Sequence, residues 1–319
     1  MPVPQATPTA ITIGNFDGVH AGHAELVRLA RAAAGESGQV VAMVFDPNPA
    51  VVLAPGREPA RLSTFAQRAR DLRALGVDEV VRLEPTQELL SRTPREFIEG
   101  VVRAHRPCAL VEGPDFRFGA KRAGDLDTLR ALGAEMGFET VVAEPIERPL
   151  SNQILVGVSS TMIRTLVEQG RVGDAGALLE KPYELDGVVV RGDQRGRTIG
   201  FPTANVRTTQ LLPGDGVYAG TALVERAGEH RVYPAAIHVG PRPVFNKPER
   251  VVEAHLLGFD EPPGQEDADA GYGWPIRVRI ERFLRDLAPF ESVTALVAQI
   301  RRDVDRAAEV CPSHEEVCT

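Results

Sequence analysis

Two stretches of this sequence gather the residue types that handle phosphate. The first is Gly14-Asn15-Phe16-Asp17-Gly18-Val19-His20-Ala21-Gly22-His23, set between a short apolar run and a helical pattern. Glycines at a strand-to-helix turn let a ligand approach the backbone, and a helix start offers free N–H groups to an anion. His20 and His23 add imidazole donors there; the bland alternative is a Gly-rich turn with two surface histidines. The second stretch carries Gly192, Arg195, Gly196, Arg197 and Gly200 ahead of Phe201-Pro202-Thr203-Ala204-Asn205. Its glycines and arginines can fold over an anionic ligand, or they form an ordinary hairpin with solvated arginines. Isolated candidates lie elsewhere. Ser160, Thr161 and Arg164 stand at a helix start, where a hydroxyl can cap the helix and the arginine can be a solvated surface charge. Asp115 can cap a turn. Glu253, between Val252 and Ala254, lies on the opposite strand face from both, and alternation alone does not say which face carries ligand.

These residues need a scaffold, and the apolar spacing supplies one. Strands are expected at Ala10–Ile13, Val40–Phe45, Glu79–Leu83, Ala109–Glu112 and Glu139–Ala143. Helices are expected around Leu26–Ala33 and over Phe65–Leu75, Pro94–His105 (capped by Thr93) and Leu126–Met136. Such alternation predicts an α/β Rossmann-like domain, with a parallel sheet covered on both faces. Two short helices, Ser160–Gly170 and Val172–Leu179, follow. The pattern then changes to β-like runs at Glu184–Arg191, Gly216–Glu225, Val232–Val239, Val251–Phe259 and Ile276–Phe283, as in a small antiparallel β-barrel. A C-terminal helix carries Val293, Leu296, Val297, Ile300 and Val304 on one face. The boundary is placed near Glu180-Lys181-Pro182, giving domains 1–180 and 181–319.

Composition narrows the function classes. A chain of 319 residues suits two domains, and 43% hydrophobic with 25% charged residues excludes whole-chain disorder. A net charge of -8 argues against nonspecific nucleic-acid binding. Three cysteines, Cys108, Cys311 and Cys318, make neither a disulfide framework nor a zinc pattern. No apolar stretch is long enough for a membrane span, and the first residues lack a signal-peptide pattern, so the expected location is the cytoplasm. Oligomeric state is not readable from the sequence.

The motifs together resemble the bacterial bifunctional riboflavin kinase/FAD synthetase family. The resemblance runs from about Ile11 to Arg306, through Val111-Glu112-Gly113-Pro114-Asp115-Phe116-Arg117-Phe118-Gly119, Gly124-Asp125, Ser159-Ser160-Thr161-Met162-Ile163-Arg164, Gly200-Phe201-Pro202-Thr203-Ala204-Asn205, Gly216-Val217-Tyr218-Ala219 and Val252-Glu253-Ala254-His255-Leu256-Leu257. It implies two reactions on small molecules: ATP phosphorylates riboflavin to FMN in the second domain, and a second ATP adenylylates FMN to FAD in the first. It implies that His20, His23 and Arg164, with Ser160 and Thr161, hold ATP phosphates, with Gly14, Phe16, Asp17, Gly22 and Asp115 around the nucleotide. Gly192, Arg195, Gly196, Gly200 and Pro202 would form the kinase nucleotide loop. Thr203 and Asn205 would hold Mg2+ with the ATP phosphates, Glu253 would be the general base, and Arg285 and Tyr272 would face the flavin. Departures fall at Asn48 (His in the family), at His238 (Asn) and Val244 (Thr), at Gly258, in an enlarged Pro262–Ala270 loop, and in Leu284–Phe290, which lacks the usual Glu and basic residues. They leave two alternatives open: a paralogue with an altered acceptor or one surviving activity, or a non-catalytic flavin- or nucleotide-binding regulator.

Overall fold

Runs that are apolar at every position form strands covered on both faces, whereas alternating runs form strands with one covered face. Both kinds occur in the computed structural model, which describes residues 7–192, 195–226, 229–242, 249–259 and 272–311. The first half contains β1 (Thr9–Gly14), α1 (Ala21–Ala34), β2 (Gln39–Phe45), α2 (Ala50–Leu53), α3 (Phe65–Ala74), β3 (Glu79–Leu83), α4 (Gln87–Ser91), α5 (Pro94–His105), β4 (Ala109–Glu112), α6 (Leu126–Met136) and β5 (Glu139–Val142). Its strands form one parallel sheet in the order β3-β2-β1-β4-β5. Ala10, Val40, Ala42, Val44, Ala109 and Val111 enter one core with Val27, Ala30 and Leu72 of α1 and α3. Ile11, Ile13, Val41, Met43 and Leu110 enter the other with Phe97, Ile98, Val101 and Leu129 of α5 and α6. Chain order reverses on either side of β1, so the carboxyl ends of β1 and β4 open a crevice at the switch point, the usual ligand site of such sheets. Thr93 caps α5 in a capping box with Glu96, and Pro94 follows it as expected.

A hairpin of β6 (Glu147–Pro149) and β7 (Leu155–Gly157) precedes α7 (Ser160–Glu168) and α8 (Val172–Leu179). Next come β8 (Tyr183–Val190), α9 (Arg195–Thr198), β9 (Ala204–Arg207), β10 (Gly216–Arg226), β11 (Glu229–Arg242), β12 (Glu249–Leu256), β13 (Pro275–Arg285) and α10 (Val293–Val310). Strands β8 to β13 close an antiparallel barrel in the order β10-β11-β12-β9-β8-β13. Its interior is filled by small and branched residues such as Val206, Ala235, Ile237, Val239, Val252, Ala254, Val278 and Ile280, all buried. The residues between them along each strand therefore face outward. β9 is not visible in the apolar pattern, because four residues with one large apolar side chain, Val206, show no periodicity. It is nonetheless the strand that joins β12 to β8 and closes the barrel. Among the described residues no helix is long and apolar enough to cross a membrane.

The chain divides into an α/β unit and a barrel unit, and residues 161–179 group with the barrel. Helix α8 packs on β8 and β13, burying Val172, Ala175, Leu178 and Leu179. A fragment beginning at Lys181 leaves that strand surface bare, at about 25 cal/mol per Å2 of apolar area. A fragment beginning at Thr161 is expected to melt several degrees higher than one beginning at Lys181 in thermal denaturation. Equal midpoints would show that α8 adds nothing to the barrel.

Candidate active sites

The first site grows from the end of β1. Phe16 has φ 50, and its ring is 1% exposed, so the ring is core and only its backbone can meet a ligand. The ring lies over Gly14, where a Cβ would stand 3.3 Å from it, and 4.9 Å from the His23 ring. His20 is the N-cap of α1 and closes a reciprocal box. Its Nδ1 accepts the His23 N–H at 3.4 Å, and its own N–H donates to His23 Nδ1 at 3.3 Å. The two rings stack with centroids 3.7 Å apart. Gly22 permits this, since a Cβ there would lie 3.2 Å from the His20 ring. Burial lowers the His20 pKa to about 4. Burial, and then the neighbouring His20, push His23 well below the ordinary imidazole value, against a hydrogen bond to the Gly18 backbone. Both rings are thus neutral at pH 7, with Nδ1 accepting from backbone and the ring proton on Nε2. They are neutral donors built into a helix cap, not surface cations.

Beside this turn, the switch point holds a cavity of about 400 Å3. Leu53, Leu89, Leu90 and Phe97 give it an apolar wall, and Gly14, Asn15, Asn48, Asp115, Arg117 and Arg122 give it polar edges. Asp115 is exposed and folds toward Gly113, where a Cβ would come 3.5 Å from its carboxylate. The Asn48 side chain accepts the Ala50 N–H at 2.9 Å, so at this departure from the family pattern the amide caps the α2 turn. The Ser160 hydroxyl donates to the Asp17 carbonyl at 2.7 Å and braces the turn.

Two residues that hold this crevice open do not stand out in the sequence. Arg68 of α3, 3% exposed, donates to the Asn15 carbonyl at 2.7 Å and the Phe45 carbonyl at 2.9 Å, and pairs with buried Asp46. One guanidinium thereby ties the end of β1 to the end of β2. The signal was its place on the stripe Phe65, Arg68, Ala69, Leu72, among apolar residues. Glu112, at the end of β4, is 2% exposed and accepts the Ile13 N–H at 2.8 Å, where the β1–β4 ladder stops at Ile11 and Leu110. Burial raises its carboxyl well above the usual range, against that hydrogen bond.

The second site is a rung across the outer barrel face. Strand register sets Asn205 of β9 opposite Glu253 of β12, and Glu253 opposite His238 of β11. Asn205 is 8% exposed, and its amide lies against Gly192, where a Cβ would come 2.2 Å from it; only glycine fits. Gly196 is pressed on the Phe201 carbonyl in the same way, with the Thr203 hydroxyl nearby, and Gly200 has φ +86. The His255 Nδ1–H donates to the Pro202 carbonyl at 2.7 Å and steadies this segment. Among the described residues four buried side-chain polar atoms lack a hydrogen-bond partner, and Asn205 Oδ1 and His238 Nδ1 are two of them. An orphaned amide oxygen suits a hard cation that brings most of its own ligands, as Mg2+ on phosphate does. Among the described residues no group of three or more His, Cys, Asp or Glu is placed to hold a metal by itself.

The remaining sequence candidates are placed as follows. Thr161 and Arg164 lie one turn apart on α7, in the barrel unit, while His20, Asp115 and Ser160 lie in the α/β unit. Arg285 ends β13 and makes a half-buried ion pair with Asp303 of α10 at 2.7 Å. Tyr272 precedes the other end of β13, so the strand separates the two flavin candidates instead of bringing them together. Gly258 takes φ +75, a conformation that favours glycine. The Arg195 side chain, Val244 and the Pro262–Ala270 loop lie outside the described residues.

Two stability measurements check this geometry. Between about 4 and 6.5 the folded state leaves His20 neutral while the unfolded chain protonates it. Stability present above pH 6.5 is therefore lost as pH falls through that window. His20→Asn keeps an N-cap acceptor without the titration, so its melting temperature should fall less than the parent's between pH 7 and pH 5. Equal falls would count against the buried neutral ring. Arg68→Met should cost about 3 kcal/mol in urea denaturation, the low end for a broken buried pair, because Arg82 still faces Asp46. A loss under about 0.5 kcal/mol would deny Arg68 its clamping role.

Comparison with known proteins follows the same division. The family model described as FAD synthetase matches residues 3–155, and the one described as riboflavin kinase matches residues 179–311. The bifunctional riboflavin kinase/FMN adenylyltransferase of Escherichia coli K12 is 36% identical over 302 residues, covering 94% of this chain and 91% of the relative. The protein of the same description from Bacillus subtilis is 32% identical over 307 residues, covering 94% and 91%. A crystal structure described as a macrolide-efflux protein from Streptococcus pneumoniae superposes with a TM-score of 0.79 at 30% identity, covering 96% of this chain and 95% of that one. On its sequence, both family models and its full-length relatives, the chain belongs to the bifunctional riboflavin kinase/FMN adenylyltransferase family.

Proposed function

We propose that the chain makes FAD in two steps and divides them between its halves: residues 181–319 act as riboflavin kinase (EC 2.7.1.26), and residues 1–180 as FMN adenylyltransferase (EC 2.7.7.2). The observation that carries this reading is the outer rung of the barrel. It aligns an orphaned Asn205 oxygen with the Glu253 carboxylate. In the kinase half, Thr203 and Asn205 hold Mg2+ with the ATP phosphates, and Gly192, Arg195, Gly196, Gly200 and Pro202 shape the loop over the nucleotide. Bound Mg2+ supplies neutralisation of phosphate charge. Glu253 takes the proton of the riboflavin 5′-hydroxyl as that oxygen attacks the γ-phosphorus and ADP leaves. Arg285, whose charge reaches His238, belongs to the flavin end, and Tyr272, beyond the far end of β13, does not join it.

In the adenylyltransferase half, the FMN phosphate attacks the α-phosphorus of ATP and pyrophosphate leaves. His20 serves as a neutral donor to phosphate and His23, whose ring N–H goes to the Gly18 backbone, holds His20 and the turn in place, with Ser160, Thr161 and Arg164 stabilising the leaving charge. Gly14, Phe16, Asp17 and Gly22 give backbone access, and Asp115 at the cavity edge faces the adenosine. A neutral donor of this kind strengthens as charge develops and needs no protonation at pH 7. The substrates are small molecules of the cytoplasm, with no role for nucleic acid or membrane.

The test is single-turnover phosphorylation of riboflavin by Glu253→Gln. The amide cannot accept the proton, so FMN formation should drop by about 10²–10⁴ while ATP binding persists. FAD formation from supplied FMN should stay at the parent's level, since Glu253 lies in the other half. A kinase rate within a few-fold of the parent would remove Glu253 as the base.

A further inference from the structure

Of the two orphaned atoms flanking Glu253, the proposed function occupies only Asn205 Oδ1. His238 Nδ1 is equally buried and equally without a partner. Its ring is held firmly over Gly240, where a Cβ would meet Cε1 at 3.2 Å and Nε2 at 3.3 Å. Glu253, Arg285 and Asp215 are the charged groups that act on the ring. An unpaired buried nitrogen costs stability in the free protein, and that cost is lifted only by a partner that arrives.

Order along the rung identifies the partner. Asn205, Glu253 and His238 succeed one another across three adjacent strands, about 4.8 Å apart. With phosphate at the Asn205 end and the reacting hydroxyl at Glu253, in-line transfer sends the rest of the acceptor away from the phosphate, toward His238. That acceptor is a polyol chain, and one strand spacing is within reach of a neighbouring hydroxyl on the same chain. We infer that His238 is a further acceptor-binding residue of the kinase half, its Nδ1 hydrogen-bonding a ribityl hydroxyl of riboflavin next to the one that Glu253 deprotonates. A hydroxyl both donates and accepts, so it suits either tautomer of the ring. The inference rests on the kinase reading of Glu253.

The experiment is steady-state kinetics of the full chain with Mg–ATP and riboflavin or its 2′-, 3′- and 4′-deoxy analogues. The parent should discriminate against the 4′-deoxy analogue by about 10–100-fold in kcat/KM, because that analogue leaves Nδ1 unpaired, and discrimination against the 2′- or 3′-deoxy analogue alone would overturn the inference. His238→Leu should raise the KM for riboflavin about tenfold, keep kcat and the KM for ATP within a few-fold, and lose the discrimination. His238→Asn, which restores a polar side chain, should recover part of it. Discrimination that survives in His238→Leu, or an unchanged KM for riboflavin, would overturn the inference. If His238→Leu fails to fold, the parent still decides, because equal kcat/KM for riboflavin and all three analogues would also overturn it. A parent that makes no FMN would overturn the Glu253 reading and this inference together, whereas FMN formation with indifferent analogues overturns the inference alone.

Discussion

The hydrogen-bond register of β9, β12 and β11 decides which polar residues the barrel brings together on its outer face. Side chains alternate between faces with a period of two, so a slip of one residue would turn Glu253 into the packed interior and bring Val252 or Ala254 out. The register is fixed from inside, where Val206, Val252 and Val239 meet on one rung and Ala254 and Ile237 on the next. Core packing thus aims the polar residues without touching them. The same logic explains the glycines nearby: Gly192 leaves room for the Asn205 amide, and Gly240 for the His238 ring.

The α/β half solves a different problem. A parallel sheet offers a crevice at its switch point only if its strand ends stay apart and their backbone groups stay paired. Arg68 does this for β1 and β2 by donating to the Asn15 and Phe45 carbonyls. Glu112 does it for β1 and β4 by accepting the Ile13 amide beyond the end of the ladder. Both are charged residue types placed in buried positions, where an unpaired group would be costly, and each is matched to backbone dipoles. The histidines of α1 follow the same rule, since each ring satisfies a helix-start N–H of the other residue.

The two sites proposed to handle phosphate are built by different means. In the barrel, neutral oxygens and one carboxylate stand on rigid strands, and the cation is to come with the substrate. In the α/β half, the donors sit on a helix start and two imidazoles hold each other in one tautomer. Burial keeps those imidazoles uncharged, which ties them to hydrogen bonding and not to ion pairing. Asn48 illustrates the limit of reading a motif residue by residue. Its departure from the family pattern is absorbed locally, as a cap on Ala50.

Local patterns sufficed wherever a signal was contained in one segment. The α5 helix follows from Thr93-Pro94 and its apolar stripe, β4 and α6 from short apolar runs, and the change from α/β to barrel from the change in period. His20, Gly22 and His23 were legible because glycine and histidine at a helix start form a local motif. Tertiary structure alone decided what depends on partners distant in sequence. β9 is a strand because β8 and β12 flank it, and the outer barrel face carries Glu253 because the inner one is filled. It also set His238 beside Glu253 and turned Arg68 inward. A single strand or helix carries no information about which of its faces will be covered, since that is settled only when other elements bring the apolar area and the hydrogen-bond partners that make burial favourable.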